Sequence, residues 1–411
     1  MARKYVTALA GQGLLSLFHF ALNIVLVRQF VPQDYGIFAL AFVAAVLGAS
    51  LTGALAGTPV SVYTPGVSRR AKRHYLETLL STVNLALVGV ILLTTLLVTL
   101  WLHFPLGTML GFSVFVASYG ARQYFRAFAF ARQSPQTALY ADITYVLTAL
   151  LILLLAVMQG VVLNLALVLA ALALGNLAAI FLEFKSLAAG RVRIIRRWRS
   201  LRRYGLIWQQ SRWALIGAVT TLIATQAHSF IVTMFAGAAA YAPLAAGFVL
   251  FGPIRIGLQS WLSVMRPELA VAIAQHDHEA LRRIQRTSAL VMLLGVLLFA
   301  LLLQLLWSPI DEFLYANRYG DVPMGWIVAG WCAVTFFTAQ VVTPSGMLQA
   351  LKRFRVLAMG TVYSAVLSVT AVAIFLALWG SAYSVLGILL AEAFLAVYLI
   401  IAVRREVQRS W

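Results

Sequence analysis

The chain has 411 residues, of which 62% are hydrophobic and only 10% are charged. An ordinary soluble domain carries roughly 25% charged residues, so this composition excludes a soluble globular enzyme. The net charge of +19 would by itself also suit a nucleic-acid-binding protein. The positions of the cations decide between a basic surface for nucleic acid and a membrane topology signal.

Twelve apolar runs of about twenty residues follow one another, and a helix of about that length crosses the hydrocarbon layer. The first six are placed at Tyr5–Val27, Gly36–Leu55, Thr78–Trp101, Leu106–Tyr124, Thr137–Met158 and Val161–Phe184. The second six are placed at Leu206–Phe230, Ala242–Met265, Ser288–Trp307, Met324–Thr343, Val356–Trp379 and Tyr383–Val403. The sequence predicts an all-α polytopic membrane protein with two six-helix bundles, at 1–184 and 206–411. The first run is too long for a typical signal peptide and lacks a small-residue cleavage site, so we expect it to be retained.

The cations are strongly biased to one side of this topology. If the first helix enters from the cytoplasm, 27 of the 31 Lys and Arg residues fall at the termini or in the even-numbered connections. The exceptions are Arg28, Arg212, Arg255 and Arg318. This bias is the positive-inside rule, and it predicts a multi-pass inner-membrane protein with both termini in the cytoplasm. The positive charge then needs no polyanionic partner beyond anionic membrane lipids, and we expect no nucleic-acid partner.

The most basic connection, 185–205, interleaves arginines with Val192, Ile194, Ile195 and Trp198. One interpretation is an amphipathic helix lying on the cytoplasmic leaflet. The other is a linker that only follows the charge rule. Both interpretations make it a basic cytoplasmic linker between the two bundles.

A weak internal repeat indicates duplication. Phe30 to Ala41 has a counterpart at Phe235 to Ala246, with one residue inserted. Because each half contains an even number of helices, the two copies enter the bilayer in the same sense, which makes a parallel repeat. In such proteins the substrate is expected between the halves.

Polar residues form a stripe on two related helices. In the first helix they are Gln12, Ser16, His19 and Asn23, spaced so that all four share one face. The seventh helix has a similar stripe that includes Gln210, Thr221, Thr225 and His228. Such stripes line a hydrated cavity, or they form hydrogen bonds between neighbouring helices. Gln12, His19, Asn23, Thr225 and His228 are therefore candidate substrate-binding residues.

Arg255 lies near the middle of the predicted eighth helix, in the segment Phe251 to Gln259. A guanidinium at this depth is costly unless it is paired or hydrated. Gly252 and Pro253 weaken the helix there, which suits a bend beside a cavity. Two interpretations stay open: Arg255, with Gln259, binds phosphate, or Arg255 pairs with Glu392, the acid at similar depth in the twelfth helix.

Other charges near the membrane give weaker signals. Arg212 begins the seventh helix, and Arg122 with Arg126 ends the fourth. These arginines either extend to the headgroups or attract an anionic headgroup at the cytoplasmic opening. Asp142, one turn into the fifth helix, is a candidate for ion coupling, or an acid favoured by the helix dipole.

Catalytic and metal-binding signatures are missing. The chain contains no HExxH, CxxC, GxSxG or Walker sequence, and it has one cysteine. The sequence therefore predicts no catalytic residue, no metal site and no cofactor. A transporter without an ATPase domain would use an ion gradient, the membrane potential or product removal.

Two segments resemble a known family. Asn23 to Leu40, with the turn Pro32-Gln-Asp-Tyr-Gly36, is similar to the first hairpin of bacterial polysaccharide-transport (Wzx-type) flippases of the multidrug/oligosaccharidyl-lipid/polysaccharide (MOP) exporter superfamily. Thr58 to Pro65, followed by basic residues and Tyr75, resembles the exopolysaccharide members. The resemblance implies outward transport of undecaprenyl-pyrophosphate-linked oligosaccharide, with cavity arginines on the pyrophosphate. That role is carried over to Arg255, and less directly to Arg212 and Arg122. The family resemblance also leaves open association with a polysaccharide polymerase.

Two other functions remain as alternatives. A cation-coupled multidrug exporter of the same superfamily would need carboxylates in its cavity, for which Glu392 and Asp142 are the candidates. A membrane glycan polymerase or glycosyltransferase would need a large extracytoplasmic loop, and the predicted loops are short. The sequence favours the lipid-linked oligosaccharide flippase working by alternating access.

Overall fold

The computed structural model describes residues 2–64, 67, 69–188, 203–255, 257–258, 277–315, 318–351 and 353–410, with isolated positions between 261 and 275. The described residues contain helices and turns, and no β-strand. This confirms the predicted all-α fold class.

The helices of the first half follow the predicted order. They are α1 (Ala2–Gln29), α2 (Pro32–Thr52), α3 (Thr58–Tyr63), α4 (Arg70–Trp101), α5 (Leu106–Ala131), α6 (Pro135–Met158) and α7 (Leu165–Glu183). A π-helical turn, Gly53–Gly57, joins α2 to α3, and a second, Phe184–Ala188, follows α7. The predicted second helix therefore continues beyond Leu55, its expected end.

The second half begins with α8 (Tyr204–Ala236) and α9 (Ala238–Val249). It continues with α10 (His278–Leu305), α11 (Trp307–Leu314), α12 (Met324–Ala350), α13 (Phe354–Trp379) and α14 (Val385–Ser410). A 3₁₀ turn, Ser381–Ser384, precedes α14. The short α11 lies almost entirely in the predicted connection 308–323, the longest one expected on the non-cytoplasmic side, where hydropathy alone predicted no helix.

Ten of the described helical segments are long and apolar enough to cross a membrane. The other two predicted spans correspond to α5 and α9. α5 has 26 residues but carries Arg122, Gln123 and Arg126, which lower its hydropathy. α9 has twelve residues and leads into a partly described segment. The chain is thus a polytopic helical membrane protein.

Several helices begin earlier than predicted. α4 begins at Arg70 where Thr78 was expected, and α10 begins at His278 where Ser288 was expected. The Asp277 side chain accepts a hydrogen bond from the Ala280 amide (2.8 Å) and caps α10. The predicted starts are late because hydropathy marks only where a helix enters the hydrocarbon layer. The first turns of these helices contain basic residues and are helical outside that layer.

The chain divides into two compact units. Unit 1 contains Met1–Ala21 and Phe38–Val219, and unit 2 contains Leu22–Ile37 and Thr220–Trp411. α1 and α8 each contribute residues to both units. Of the predicted linker 185–205, residues 189–202 lie outside the described residues. The predicted domain boundaries therefore stay a prediction.

The two copies of the weak repeat begin with the same local structure, and these first residues of both copies lie within unit 2. In each, a long helix ends, one or two residues intervene, and a new helix begins, at Pro32 in one copy and Ala238 in the other. The Gln33 side chain accepts a hydrogen bond from the Ala239 amide at 3.1 Å. A Cβ atom on Gly36 would overlap the carbonyl oxygen of Ala238. The starts of α2 and α9 therefore pack backbone to backbone.

This contact predicts that Gly36→Ala destabilises the protein. The added methyl must displace the Ala238 backbone, and overpacking of this kind costs about 1–3 kcal/mol. Thermal unfolding in detergent can be followed through the single, half-buried Cys332 with a thiol-reactive dye. Gly295→Ala in α10 is the matched control, because a Cβ there meets no atom within 4 Å. An equal unfolding temperature for both variants would contradict the packing argument.

Candidate functional site

A charged cluster lies in the interior of unit 1, where α5, α6 and α7 pack together. The Arg122 guanidinium donates from Nη1 to Asp142 Oδ1 at 2.8 Å and from Nε to Asn176 Oδ1 at 2.8 Å. Arg126, one turn further along α5, forms a second ion pair with Asp142 at 3.4 Å. Asp142 is thus held between two arginines.

Aromatic rings enclose the Arg122 side chain. Its guanidinium carbon lies 4.5 Å from the centre of the Tyr145 ring, and the residue is 1% exposed. The Tyr145 hydroxyl in turn shares a 2.8 Å hydrogen bond with His19 Nε2. A buried ion pair is tolerated only when its remaining donors and acceptors are also satisfied. These contacts support a structural role for Arg122, and its substrate role stays a prediction.

The cluster contains polar atoms without a hydrogen-bond partner among the described residues. They include Arg122 Nη2, Asp142 Oδ2, Asn176 Nδ2 and both carboxylate oxygens of Glu183. Glu183 ends α7, is 1% exposed and experiences the charges of Arg122, Asp142 and Arg126. Buried polar atoms of this kind are normally satisfied by ordered water or an ion. The interior of unit 1 therefore suits water, a proton or a small ion.

Glu183 was missed by sequence reasoning. Because Glu183 precedes the basic connection, its position in the sequence indicated only the cytoplasmic end of a helix. It is the only acid in the run Val161–Phe184, and that isolation was the signal available in the sequence.

The predicted stripe on α1 is bonded to neighbouring helices. Gln12 accepts a hydrogen bond from Arg126 at 2.8 Å, and Asn23 accepts one from the Tyr35 hydroxyl at 3.1 Å. His19 is bonded to Tyr145 as described above. Gln12 is exposed, and His19 and Asn23 are half-buried. The hydrogen-bonding interpretation thus applies to all three, and a role in substrate binding stays a prediction.

The predicted polar residues of α8 differ in how far their side chains are exposed. Thr225 is exposed and donates to the Thr221 carbonyl oxygen of its own helix at 3.0 Å. His228 is 4% exposed and packs against the rings of Trp331 and Tyr241. Arg212 is exposed in the first turns of α8. His228 therefore belongs to the packed interior of unit 2, whereas Thr225 and Arg212 present accessible side chains.

Arg255 follows an interruption in the eighth predicted helix. α9 ends at Val249, a turn occupies Leu250 and Phe251, and the helix resumes at Gly252. The interruption directly precedes Gly252 and Pro253, as expected from their weak helix propensity. The Arg255 guanidinium carbon lies 4.7 Å from the centre of the ring of Phe248, which is in the last turn of α9. The residue is exposed.

Glu392 does not neutralise Arg255 by direct contact. Its carboxylate accepts a hydrogen bond from the Thr338 hydroxyl at 3.1 Å, and the residue is buried. Glu392 acts on Arg255 electrostatically. Within the described part of the chain, however, Arg255 forms no ion pair, whereas five other ion pairs are present. Gln259 lies outside the described residues.

Solved structures show which fold this is. A multidrug resistance MATE family transporter of the MOP superfamily, in an inward-facing conformation, matches with a TM-score of 0.71 at 12% identity, covering 98% of both chains. The lipid II flippase MurJ, inward closed, matches with a TM-score of 0.72 at 13% identity, covering 98% of this chain and 89% of that one. A MOP superfamily transporter from Pyrococcus furiosus, described by the reverse polarity of its binding pocket, gives 0.56 at 14% identity, with coverage of 99% and 95%.

The chain therefore has the fold of MOP superfamily transporters and flippases. Neither the comparison with protein-family models nor that with curated protein sequences finds a match. At such low identities the likeness concerns the fold, and the substrate has to be inferred from the residues themselves.

The cluster in unit 1 predicts that Asp142→Asn strongly destabilises the protein. The substitution leaves Arg122 buried beside a neutral amide, and breaking a buried pair from one side costs about 3–5 kcal/mol. Thermal unfolding of the detergent-solubilised variant measures the loss. The double variant Arg122→Leu/Asp142→Leu should recover part of it, because both charges are removed together. Unfolding of Asp142→Asn at the wild-type temperature would contradict the assignment.

Proposed function

We propose that the protein is a flippase that moves undecaprenyl-pyrophosphate-linked oligosaccharide units across the bacterial inner membrane by alternating access. Arg255 binds the pyrophosphate. The observation that carries this proposal is an exposed guanidinium without an ion-pair partner in the described residues, in a segment that the sequence predicts to cross the membrane.

The depth of Arg255 supports an anionic ligand. It lies seventeen residues after the start of α9 at Ala238, which corresponds to at most about 25 Å along a helix. This is less than the hydrocarbon thickness of about 30 Å, so the guanidinium needs water or an anion around it. Phosphate oxygens accept paired hydrogen bonds from a guanidinium, and the Phe248 ring limits where the side chain can lie.

The fold supports the same class of substrate. MurJ, one of the matching structures, is a lipid II flippase, and lipid II flipping by that protein shows that this fold can serve a lipid-linked cargo. Thr225 and Arg212 are accessible and are included in the proposal as secondary contacts. Anionic lipids and a polysaccharide polymerase are the proposed partners.

We further propose that Glu183 couples transport to a proton gradient. A buried carboxylate without hydrogen bonds is costly when charged, so the neutral form is favoured while the Arg122–Asp142 pair is intact. A conformational change that turned Arg122 towards Glu183 would favour loss of that proton. Protonation and deprotonation of Glu183 in unit 1 would thereby couple the proton gradient to transport.

The main test is transport by Arg255→Ala in proteoliposomes that contain a fluorescent pyrophosphate-linked oligosaccharide. Losing the charge-assisted hydrogen bonds should slow transport at least tenfold. Arg255→Lys keeps the charge but not the paired geometry of the guanidinium hydrogen bonds. Its transport rate should therefore lie between those of the wild-type protein and Arg255→Ala. Arg286→Ala, an exposed arginine of α10, is the control for net charge. A wild-type rate for Arg255→Ala would refute the assignment of the site.

Glu183→Gln tests the coupling proposal in the same vesicles. Glutamine mimics the protonated acid, so the variant should transport equally fast with and without a pH gradient, while the wild-type protein is accelerated by the gradient. Glu312→Gln, at an exposed acid of α11, serves as the control. Retention of the full gradient response by Glu183→Gln would exclude this residue as the coupling group.

The second candidate function is a cation-coupled multidrug exporter. The buried acids Glu183 and Glu392 favour it, because carboxylates suit cationic drugs. Expression in a drug-sensitive bacterium, with Glu392→Gln as the variant, separates the two functions. Drug resistance that depends on Glu392, together with no transport of the lipid-linked sugar, would establish the exporter.

A further inference from the structure

A groove of about 370 Å³ opens in unit 2 where three helix ends meet. It lies between the first turns of α10, the last turn of α12 and the last turns of α14. Its floor is apolar and consists of Leu281, Met347, Val403 and Val407. The three helix ends lie at the side of the membrane that the charge distribution predicts to be cytoplasmic.

Two arginines from different helices line the groove together with these apolar residues. Arg282 comes from α10 and Arg404 from α14, and both are exposed. The amides of Gln285 and Gln408 complete the polar lining. Within the described residues neither arginine takes part in any of the ion pairs. The groove therefore presents two free guanidinium groups above hydrocarbon side chains.

No acid among the lining residues opposes these charges. Glu406 is on the same helix end, but it pairs with Arg353 at 2.8 Å and lines a neighbouring groove together with Arg405. Glu279, one turn before Arg282, is exposed and does not line the groove. Among the described residues that line the groove, the two arginines are thus the only charged side chains.

We propose that this groove binds an anionic phospholipid of the inner leaflet. The phosphate accepts hydrogen bonds from Arg282 and Arg404, and the glycerol and the first methylenes of an acyl chain cover the apolar floor. Basic pockets between membrane helices on the cytoplasmic side suit such headgroups. The site is separate from Arg255, and the inference does not rest on the proposed transport function.

The test is a calorimetric titration of the full-length protein in neutral detergent with short-chain phosphatidylglycerol. Detergent is used because a charged bilayer would attract every cationic variant. Arg282→Gln/Arg404→Gln should weaken binding at least tenfold, since each phosphate contact is charge-assisted. Arg283→Gln/Arg405→Gln removes the same charge from the same two helices outside the groove, and it should bind within twofold of wild type. All four arginines are exposed, and size-exclusion chromatography verifies folding.

Three further titrations identify the ligand. Short-chain phosphatidylcholine should bind at least tenfold more weakly than phosphatidylglycerol, and inorganic phosphate should bind more weakly still. Equal affinity for either one would overturn the proposal, as would equal losses in the two double variants. Binding of a short-chain prenyl pyrophosphate to the groove without binding of phosphatidylglycerol would assign the groove to the transported lipid instead. Arg255→Ala should leave phosphatidylglycerol binding unchanged, so failure of this proposal is distinguishable from failure of the transport site.

Discussion

The structure depends on one constraint: a guanidinium on a predicted membrane helix must be compensated. Arg122 and Arg255 meet that constraint in opposite ways. Arg122 is enclosed by Asp142, Asn176 and the Tyr145 ring, so the protein itself supplies the compensation. Arg255 rests on Phe248 and keeps its charge accessible. The first arrangement joins α5, α6 and α7, and the second leaves the positive charge exposed, which is the basis of the proposed ligand role.

The enclosed charges form a polar cluster inside unit 1, whose other buried residues are mostly hydrophobic. The pair at Asp142 leaves several donors and acceptors unsatisfied, and Glu183 adds a carboxylate that no hydrogen bond stabilises among the described residues. Such an interior is costly unless water or a proton completes it.

Unit 2 combines tight backbone packing with accessible charge. The starts of α2 and α9 meet at Gly36, where no side chain fits. The Arg318 guanidinium donates to the carbonyl oxygens of Arg28 and Gln29 at 3.4 and 3.2 Å and so satisfies the end of α1. At the helix ends that line the groove, Arg282 and Arg404 are exposed and form no ion pair among the described residues. The same residue type thus satisfies a helix end at Arg318 and is the proposed ligand contact at Arg282, Arg404 and Arg255.

Hydropathy in the sequence determined the fold class and the order of the helices. The positions of the cations determined the side of the membrane on which most of them are predicted to lie. Each of these depends on local composition. The interruption before Arg255 was also local, since Gly252 and Pro253 lie within the chain segment that it affects. Tertiary structure decided which charges pair. Asp142 lies twenty residues from Arg122 in sequence, and nothing in the spacing identifies Asn176 or Tyr145 as their neighbours. Tertiary structure also decided that Glu392 bonds to Thr338 and forms no ion pair with Arg255 among the described residues. This depends on side-chain distances between helices, which the periodicity of the sequence does not determine.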